Sequence, residues 1–356
     1  MSLNKQHIVL GVAGVRRKLD RKPMQAILAS LRSCDPRFRL VLMDERDMQQ
    51  PISAWPKVHA LLTMHSSDFP LDRVLQYVAL RSPFLVNNLH MQRFLMRRTL
   101  IRTILSTAGV PLPTAAFLDR SAGDYAYQPD PSGDTLVIHS PATASSQTIH
   151  KPFVEKPVAT DDHNVYIYYK GGGIRRLFRK EKNMSSTFDP DVRLVRQSGD
   201  FIYERFYQPE HRADIKVYAV GDYFHAESRK APHIDGIVER DHHGRERRTR
   251  VNLSEDEIRI CRRVTSAFDQ YVIGFDLLRG SDSRRFIIDV NGWSVVKNSD
   301  EYTTRAGQLL AKYVLENIDG RASEESQPSP SAVIQEASRP PDLFDTTNGQ
   351  RSPCPV

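Results

Sequence analysis

The chain has 356 residues, 40% of them hydrophobic, and a formal net charge of +7 at neutral pH. That length supports two or three packed subdomains with an ordinary soluble-protein core, and no apolar run approaches the roughly 20 residues of a membrane span. The three cysteines, Cys34, Cys261 and Cys354, are far apart, fit neither a disulfide framework nor a metal pattern, and point to a reducing compartment. The opening MSLNKQHIVLGVAG lacks the layout of a signal peptide. The positive charge favours a polyanionic partner: nucleic acid, a membrane surface or a phosphorylated metabolite.

Residues 7–13 read as a buried first strand, and 14–22 as a basic loop with Arg16, Arg17, Lys18, Arg21 and Lys22. On charge alone that loop is a solvated segment. Its place after the first strand of an α/β sheet is also where ligands are commonly met. Pro23 suits the first turn of a helix to about Ser33, with Met24, Ile27, Leu28 and Leu31 on one face. Strands follow at 38–43 and 58–64, then a helix at 71–81 with Leu71, Val74, Leu75 and Val78 in register. A longer helix is expected over 87–108, carrying Arg93, Arg97 and Arg98. This alternation predicts a small parallel α/β layer over residues 1–110.

Residues 120–150 read as a loop with a hairpin near 135–139. Two alternating runs, 152–158 and 165–169, read as strands around a polar turn. Lys156 interrupts the first. It is either an edge-strand gatekeeper or part of a phosphate site. The glycines at 171–173 and the basic Arg175, Arg176, Arg179 and Lys180 favour the phosphate site, because glycine lets backbone approach a phosphate and cations offset its charge. The pattern is neither a Walker A loop nor a dinucleotide fingerprint, since the glycines join strand to strand. A strand at 201–206, a hairpin over 214–229, a basic loop at 231–250 and a helix starting at Ser254 complete this part.

Two short strands, 272–279 and 285–290, each bury an acid: Asp276 in GFDLL and Asp289 in IIDVNG. A buried carboxylate needs a partner. Either arginines supply it, or Asp276, Asp289 and Asn291 form a hard oxygen set suited to Mg²⁺ with nucleotide phosphates. A helix over about 302–317 closes the fold. Residues 319–356 are rich in Ser, Pro and Glu and read as a disordered tail.

Lysine on one strand, a hinge segment, and D…DxN near the end resemble the ATP-grasp arrangement. The stretches KPFVEKPV, DDHNVYIYY, GGG, RLFRK, FIYE, KVY, HAE, VERD, GFDLLR, DVNG and VKNS, with KPM, MHS, FPL and NNLHMQ earlier, resemble the kinase domain of the diphosphoinositol pentakisphosphate kinase family. The resemblance covers residues 7 to about 315. It implies an α/β (α+β) ATP-grasp fold: an N-terminal parallel subdomain over 1–110, a central subdomain over 111–207 and a C-terminal one over 208–318, with two antiparallel sheets holding ATP. It implies an ATP-dependent kinase making an inositol pyrophosphate from inositol hexakisphosphate or 5-diphosphoinositol pentakisphosphate, at ring position 1. These 356 residues are expected to lack the phosphatase-like domain that the family often adds.

By the same resemblance, Arg98, Lys156, His163 and Arg179 would meet the ATP phosphates. Glu204, Arg205, Phe206 and Tyr207 would form the adenine hinge, Asp214 would take the ribose, and Ala231 would lie near the nucleotide. Asp276, Asp289 and Asn291 would hold Mg²⁺. Arg17, Lys18, Arg179, Lys180, Lys216, Arg229, Ser294 and Lys297 would contact the inositol polyphosphate, with Arg240 and Arg248 as further candidates. Lys216, Arg229 and Asp289 would carry the catalytic step. Ser67 stands where relatives can carry another lysine, the 170–174 segment is short, and Arg17 replaces a lysine. A cytosolic monomer with no specific nucleic-acid partner is expected. Rival readings are an ATP-grasp carboxylate–amine ligase and a non-catalytic polyanion sensor. Retained DxN chemistry and the crowd of cations weigh against them.

Overall fold

The computed structural model describes residues 7–325. The first layer begins with β1 (Ile8–Gly14), a single-turn α1 (Arg16–Leu19), α2 (Lys22–Cys34), β2 (Phe38–Met43), β3 (Ala60–Met64), α3 (Leu71–Arg81) and β4 (Phe84–Leu85). Its strands form a parallel sheet in the order β2-β1-β3-β4. Pro23 sits in the first turn of α2, and Met24, Ile27, Leu28 and Leu31 are the buried face. The expected loop at 14–22 is therefore partly helical, since α1 turns the chain directly into α2.

The helix expected over 87–108 is two helices, α4 (Leu89–Phe94) and α5 (Arg98–Thr107). Arg97 is extended, with φ −130° and ψ 116°. The backbone here pairs with a distant segment: Arg98 N donates to Val158 O at 2.8 Å, and Thr160 N donates to Met96 O at 3.1 Å. Those bonds replace intrahelical ones, so the break is set by tertiary structure and leaves no glycine or proline as a mark.

The central region holds β5 (Ala115–Leu118), β6 (Tyr125–Tyr127), β7 (Thr135–Ser140), β8 (Ser145–His150), β9 (Phe153–Pro157), β10 (Val165–Tyr168), β11 (Ile174–Glu181), β12 (Met184–Asp189) and β13 (Phe201–Arg205). Six of these make an antiparallel sheet, β12-β11-β10-β9-β13-β5. The single hairpin expected in 120–150 is a small third sheet, β6-β7-β8. The C-terminal region holds β14 (Ala213–Val220), β15 (Tyr223–Lys230), β16 (Thr249–Arg250), α6 (Glu255–Phe268), β17 (Val272–Arg279), β18 (Arg285–Asn291) and α7 (Asp300–Glu325). Its sheet is antiparallel, β16-β15-β14-β17-β18. Ser254 and Glu257 close a reciprocal capping box at the start of α6. Buried Glu257 also binds Arg279 at 2.7 Å and Arg285 at 3.0 Å.

One core joins the first layer to the C-terminal region. Leu10, Val12, Met24 and Leu62 pack in one cluster with Tyr218, Val272, Tyr302, Leu310 and Val314. The described residues up to Ile318 accordingly form one compact unit. The last helix continues to Glu325, past the expected end near 317, so the first residues of the expected tail are helical. The remainder, 326–356, lies outside the described residues.

The loop between β15 and β16 reaches back to the edge of the six-stranded sheet. Ser185 N donates to Gly236 O, and Val238 N to Asn183 O, both at 2.8 Å. Gly236 has φ +79°, and a Cβ there would sit 2.1 Å from Ser186 O. Only glycine fits this approach.

Helices α2 and α7 cross equally closely. A Cβ on Gly307 would lie 2.6 Å from Ile27 O and 2.7 Å from Leu31 N. Beside it, Ser30 Oγ donates to Thr304 O at 2.9 Å. Alanine would gain up to about 1 kcal/mol of helix propensity but lose roughly 1–3 kcal/mol to overpacking. Gly307→Ala is expected to lower the urea midpoint with little change in slope, which equilibrium unfolding would measure.

Candidate active site

The site is built from strand registry. Asp214 and Lys216 are two apart on β14, and Asp289 and Asn291 are two apart on β18, so each pair shares a face. Registry then sets these faces side by side: Asp214 opposite Arg229, Lys216 opposite Asp276, and Asp276 opposite Asp289. The ladder shifts register just after Asp276. Such bulges re-aim side chains beside functional sites.

Lys156 faces this row from the other sheet. β9 lies between β10 and β13, so Lys156 is not an edge gatekeeper. Its Nζ is 2.7 Å from Glu204 Oε2 and donates to Ile288 O at 2.6 Å. Lys216 Nζ is 2.8 Å from Asp276 Oδ1. A cavity of about 370 Å³ lies between the two sheets. Its lining brings together Arg98, Lys156, His163, Arg179 and Lys180 with Asp214, Lys216, Arg229, Asp276, Asp289 and Asn291.

The carboxylates differ in charge state. Burial pushes Asp289 up, the Arg98 charge opposes it, and the Asp276 charge adds to the rise. Burial also opposes ionisation of Asp276, but the Lys216 and Arg229 charges hold it below the usual range. Asp214 is pushed up to about 6 by burial, against the pull of Arg229. Burial, then the charges of Arg179 and Arg98, lower His163, which is neutral at pH 7. It can therefore donate a hydrogen bond without charge.

The Asp276, Asp289 and Asn291 donors fit a hard dication. Two carboxylates face each other across one register position, and Asp289 is raised first by burial and then by the Asp276 charge. Oxygen donors of this kind suit Mg²⁺. Among the described residues, no three His, Cys, Asp or Glu side chains gather to hold a metal, so the third donor here would be the amide. Of the two expected carboxylate partners, Asp276 has a lysine, and Asp289 has Arg98 Nε only at 4.0 Å.

Other expected residues fall around this centre. The Nη1 of Arg98 donates to Pro157 O and Ala159 O, each at 2.7 Å, which shapes the turn before His163. Its buried Nε has no hydrogen-bond partner and faces Asp289. Arg17, with Arg179 and His163, lines an adjoining cavity of about 490 Å³. Lys18 donates to His65 O at 3.0 Å, and burial with the Arg17 charge lowers it to about 8. Lys297 and Arg248 line a third cavity of about 190 Å³. Ser294 and Ala231 are not among the lining residues of these cavities. Arg240 is tied to Asn183 Oδ1 at 2.6 Å and to Lys182 O at 2.8 Å.

The 204–207 segment lies beside the main cavity rather than in its lining. Arg205 N and Phe206 N donate to Thr114 O and Pro152 O, and Tyr207 stacks on Phe286 at 4.4 Å. Glu204 is buried between Lys156 and Arg102, whose Nη1 is 2.9 Å away. Arg102 went unnoticed in the sequence. Its spacing of four from Arg98 on one helix face is the signal that could have shown it. Glu246, which pairs with Lys180 and with Arg248, was also missed.

The architecture is that of an ATP-grasp protein. It aligns with an ATP-grasp RimK domain protein from Sphaerobacter thermophilus at TM-score 0.54 and 11% identity, over 86% of this chain and 99% of that one. It aligns with D-alanine–D-alanine ligase from Bacillus anthracis at TM-score 0.52 and 12% identity, over 90% and 100%. Residues 8–97 match the diphosphoinositol pentakisphosphate kinase 2 N-terminal domain family. Inositol hexakisphosphate and diphosphoinositol-pentakisphosphate kinase 1 of Rattus norvegicus is 40% identical over 316 residues, or 87% of this chain and 21% of that protein. Kinase 2 of Homo sapiens is 40% identical over 318 residues, 88% of this chain and 25% of that protein. The Saccharomyces cerevisiae kinase is 38% identical over 326 residues, 86% and 28%. Over most of its length the chain is similar to these kinases, and it spans about a fifth to just over a quarter of their length. Among the described residues, no helix is long and apolar enough to cross a membrane.

The buried Arg102–Glu204–Lys156 group gives a direct test. Removing one partner of a buried ion pair costs about 3–5 kcal/mol, because the other is left uncompensated. Arg102→Leu is expected to lose close to that, and Arg102→Leu with Glu204→Gln less than the sum of the two single losses. A double-mutant cycle from denaturant unfolding measures the coupling.

Proposed function

We propose that this chain is an inositol pyrophosphate kinase. It transfers the γ-phosphate of ATP to a phosphate on inositol hexakisphosphate, 5-diphosphoinositol pentakisphosphate or both, at position 1 of the ring, as a monomer in the cytosol. The observation that carries this reading is the single cavity in which Lys156, Arg179, Lys180, Lys216 and Arg229 converge on Asp276, Asp289 and Asn291. A carboxylate–amine ligase needs no such density of cations around its acceptor. The similarity to these kinases points the same way.

In the reaction, an oxygen of an acceptor phosphate attacks the γ-phosphorus, the bond to the β-bridging oxygen breaks, and ADP leaves. Two anions must meet, so positioning and charge neutralisation do most of the work. Lys156, Arg98 and His163 would hold the nucleotide phosphates. Glu204, Arg205, Phe206 and Tyr207 would border the base, with Asp214 at the ribose. Lys216 and Arg229 would stand between donor and acceptor, and Arg17, Lys18, Arg179, Lys180, Ser294 and Lys297 would hold the ring phosphates. Asp276, Asp289 and Asn291 would bind Mg²⁺, which when bound supplies charge neutralisation across the β- and γ-phosphates. One opposite-charge contact at 4 Å is worth roughly 4 kcal/mol at an effective dielectric of 20. Several such contacts must therefore combine to hold a ring of this charge beside ATP. An acceptor phosphate is already ionised, so no general base is assigned.

Purified protein with Mg-ATP and isotopically labelled inositol hexakisphosphate or its 5-diphosphorylated form is expected to give a new β-phosphate NMR signal coupled to position 1. Asp289→Ala is expected to abolish that signal while the protein stays folded. No product from either acceptor overturns the reading, and near-normal turnover by Asp289→Ala removes that residue from the mechanism.

Lys18 supplies an independent readout. Its pKa of about 8 lies below the ordinary lysine value, so near pH 8 it is only partly protonated. A bound polyanion favours the charged form and raises that pKa. Inositide binding at pH 8 is expected to take up protons, measured by calorimetry in buffers of different ionisation enthalpy. The uptake should fall in Lys18→Arg, whose side chain stays charged.

A further inference from the structure

Glu246 lies in the loop between β15 and β16, inside the cluster of cations assigned to the acceptor. Its Oε1 pairs with Lys180 Nζ on β11. Its Oε2 accepts from Arg248 Nε at 2.9 Å and Nη2 at 2.8 Å, a fork that only arginine offers. One carboxylate thus bridges a cation of the central sheet and a cation of the C-terminal region. Glu246 lines the main cavity with Lys180, and the adjoining one with Arg248 and Lys297. Burial opposes its ionisation, yet the bonds from Lys180 and Arg248 hold it down to about 2. It is a permanent anion at pH 7.

A fixed anion between two cations in a polyanion cavity occupies the place of a phosphate. We infer that Glu246 is a specificity-determining residue: its carboxylate fills one phosphate subsite between Lys180 and Arg248, and an acceptor engages those cations only by displacing it. The inference rests on the acceptor being an inositol polyphosphate. A phosphate monoester at pH 7 carries about −1.5 to −2 and three acceptor oxygens, so it can outbid a carboxylate that carries one charge. The displacement still costs the broken Glu246 pairs. A ring that carries a phosphate at this subsite must meet that cost, whereas one that lacks it leaves the Glu246 pairs intact. Glu246 therefore narrows the affinity difference between the two, standing in for the phosphate that the second lacks.

The surroundings allow the side chain to leave without losing the site. Arg248 Nη1 holds Tyr218 OH at 2.7 Å and Glu227 Oε2 at 3.4 Å, so its position does not depend on Glu246. The backbone is tied by Arg247 N donating to Glu239 O at 2.8 Å, which leaves the Glu246 side chain as the moving part. A similar pair stands at the neighbouring cavity. Arg17 Nη2 is 2.7 Å from Asp68 Oδ2, and the hydrogen bonds from Arg17 and Ser66 hold that acid at about 2.

The test compares wild type, Glu246→Gln and Glu246→Asp. Calorimetry gives dissociation constants for inositol hexakisphosphate and for an inositol tetrakisphosphate, and steady-state assays give KM and kcat for each. In Glu246→Gln, hexakisphosphate binding is expected to tighten about tenfold and binding of a tetrakisphosphate that leaves the subsite empty by no more than about twofold, so that selectivity widens. Glu246→Asp keeps the charge but withdraws it by one methylene, and should fall between the two. A purely structural role would weaken both ligands alike. Unchanged selectivity in both variants, or weaker binding of both ligands, overturns the inference. Wild-type binding of the hexakisphosphate without phosphoryl transfer removes the kinase reading alone, because the binding ratio still judges Glu246. No hexakisphosphate binding by the wild type overturns both.

Discussion

The buried ammonium of Lys156 is the constraint on which the site depends. A charge taken out of water must be met on arrival. Lys156 is met by Glu204 within its own sheet and by the Ile288 carbonyl of the opposite sheet. The second bond brings β18 to β9 at the residue before Asp289, so the carboxylates come to face the lysine. Arg102 completes the group from α5 and carries the constraint beyond the two sheets. One charge and its partners therefore set the spacing of four elements at the cavity, β9, β13, β18 and α5.

Around this group the site alternates in sign. Lys216 has Asp276, Arg229 lies opposite Asp214, and Lys180 has Glu246. A bare row of cations would repel itself, and the alternation removes that repulsion within the fold. Under the proposed function, incoming phosphates would exchange partners instead of meeting naked charge. The raised Asp289 and Asp214 mark where the alternation is incomplete, which is where a dication and a nucleotide would contribute most.

The sequence was informative wherever the signal is local. Periodicity located α2 and α3, Ser254 marked the start of α6, and alternation placed Lys156, Lys216 and Asp289 on strands. It failed where a distant segment decides. The break between α4 and α5 needs Val158 and Thr160, which lie some sixty residues away in the chain. The basic segment at 14–22 concealed a helical turn because charge patterning says nothing of backbone shape. Glu204 is expected at the hinge by resemblance, and the pairing of its side chain with two cations is a further role that the sequence does not show. Arg102 and Glu246 are ordinary charged residues in sequence, and only their neighbours in space give them meaning.

The return of the β15–β16 loop to β12 has a consequence for the solution behaviour of the protein. The outer strand of a sheet offers unpaired amides and carbonyls to any other chain that can dock against it. Gly236 and Val238 take up the Ser185 amide and the Asn183 carbonyl on that strand. Met184 and Ile237, both partly exposed, meet at the same seam. The segment that lines the cavity through Val238, Glu239 and Glu246 is thus also a guard against intermolecular strand pairing. Any motion that freed it would uncover the edge together with its apolar neighbours, which couples access to the cavity with a risk of self-association.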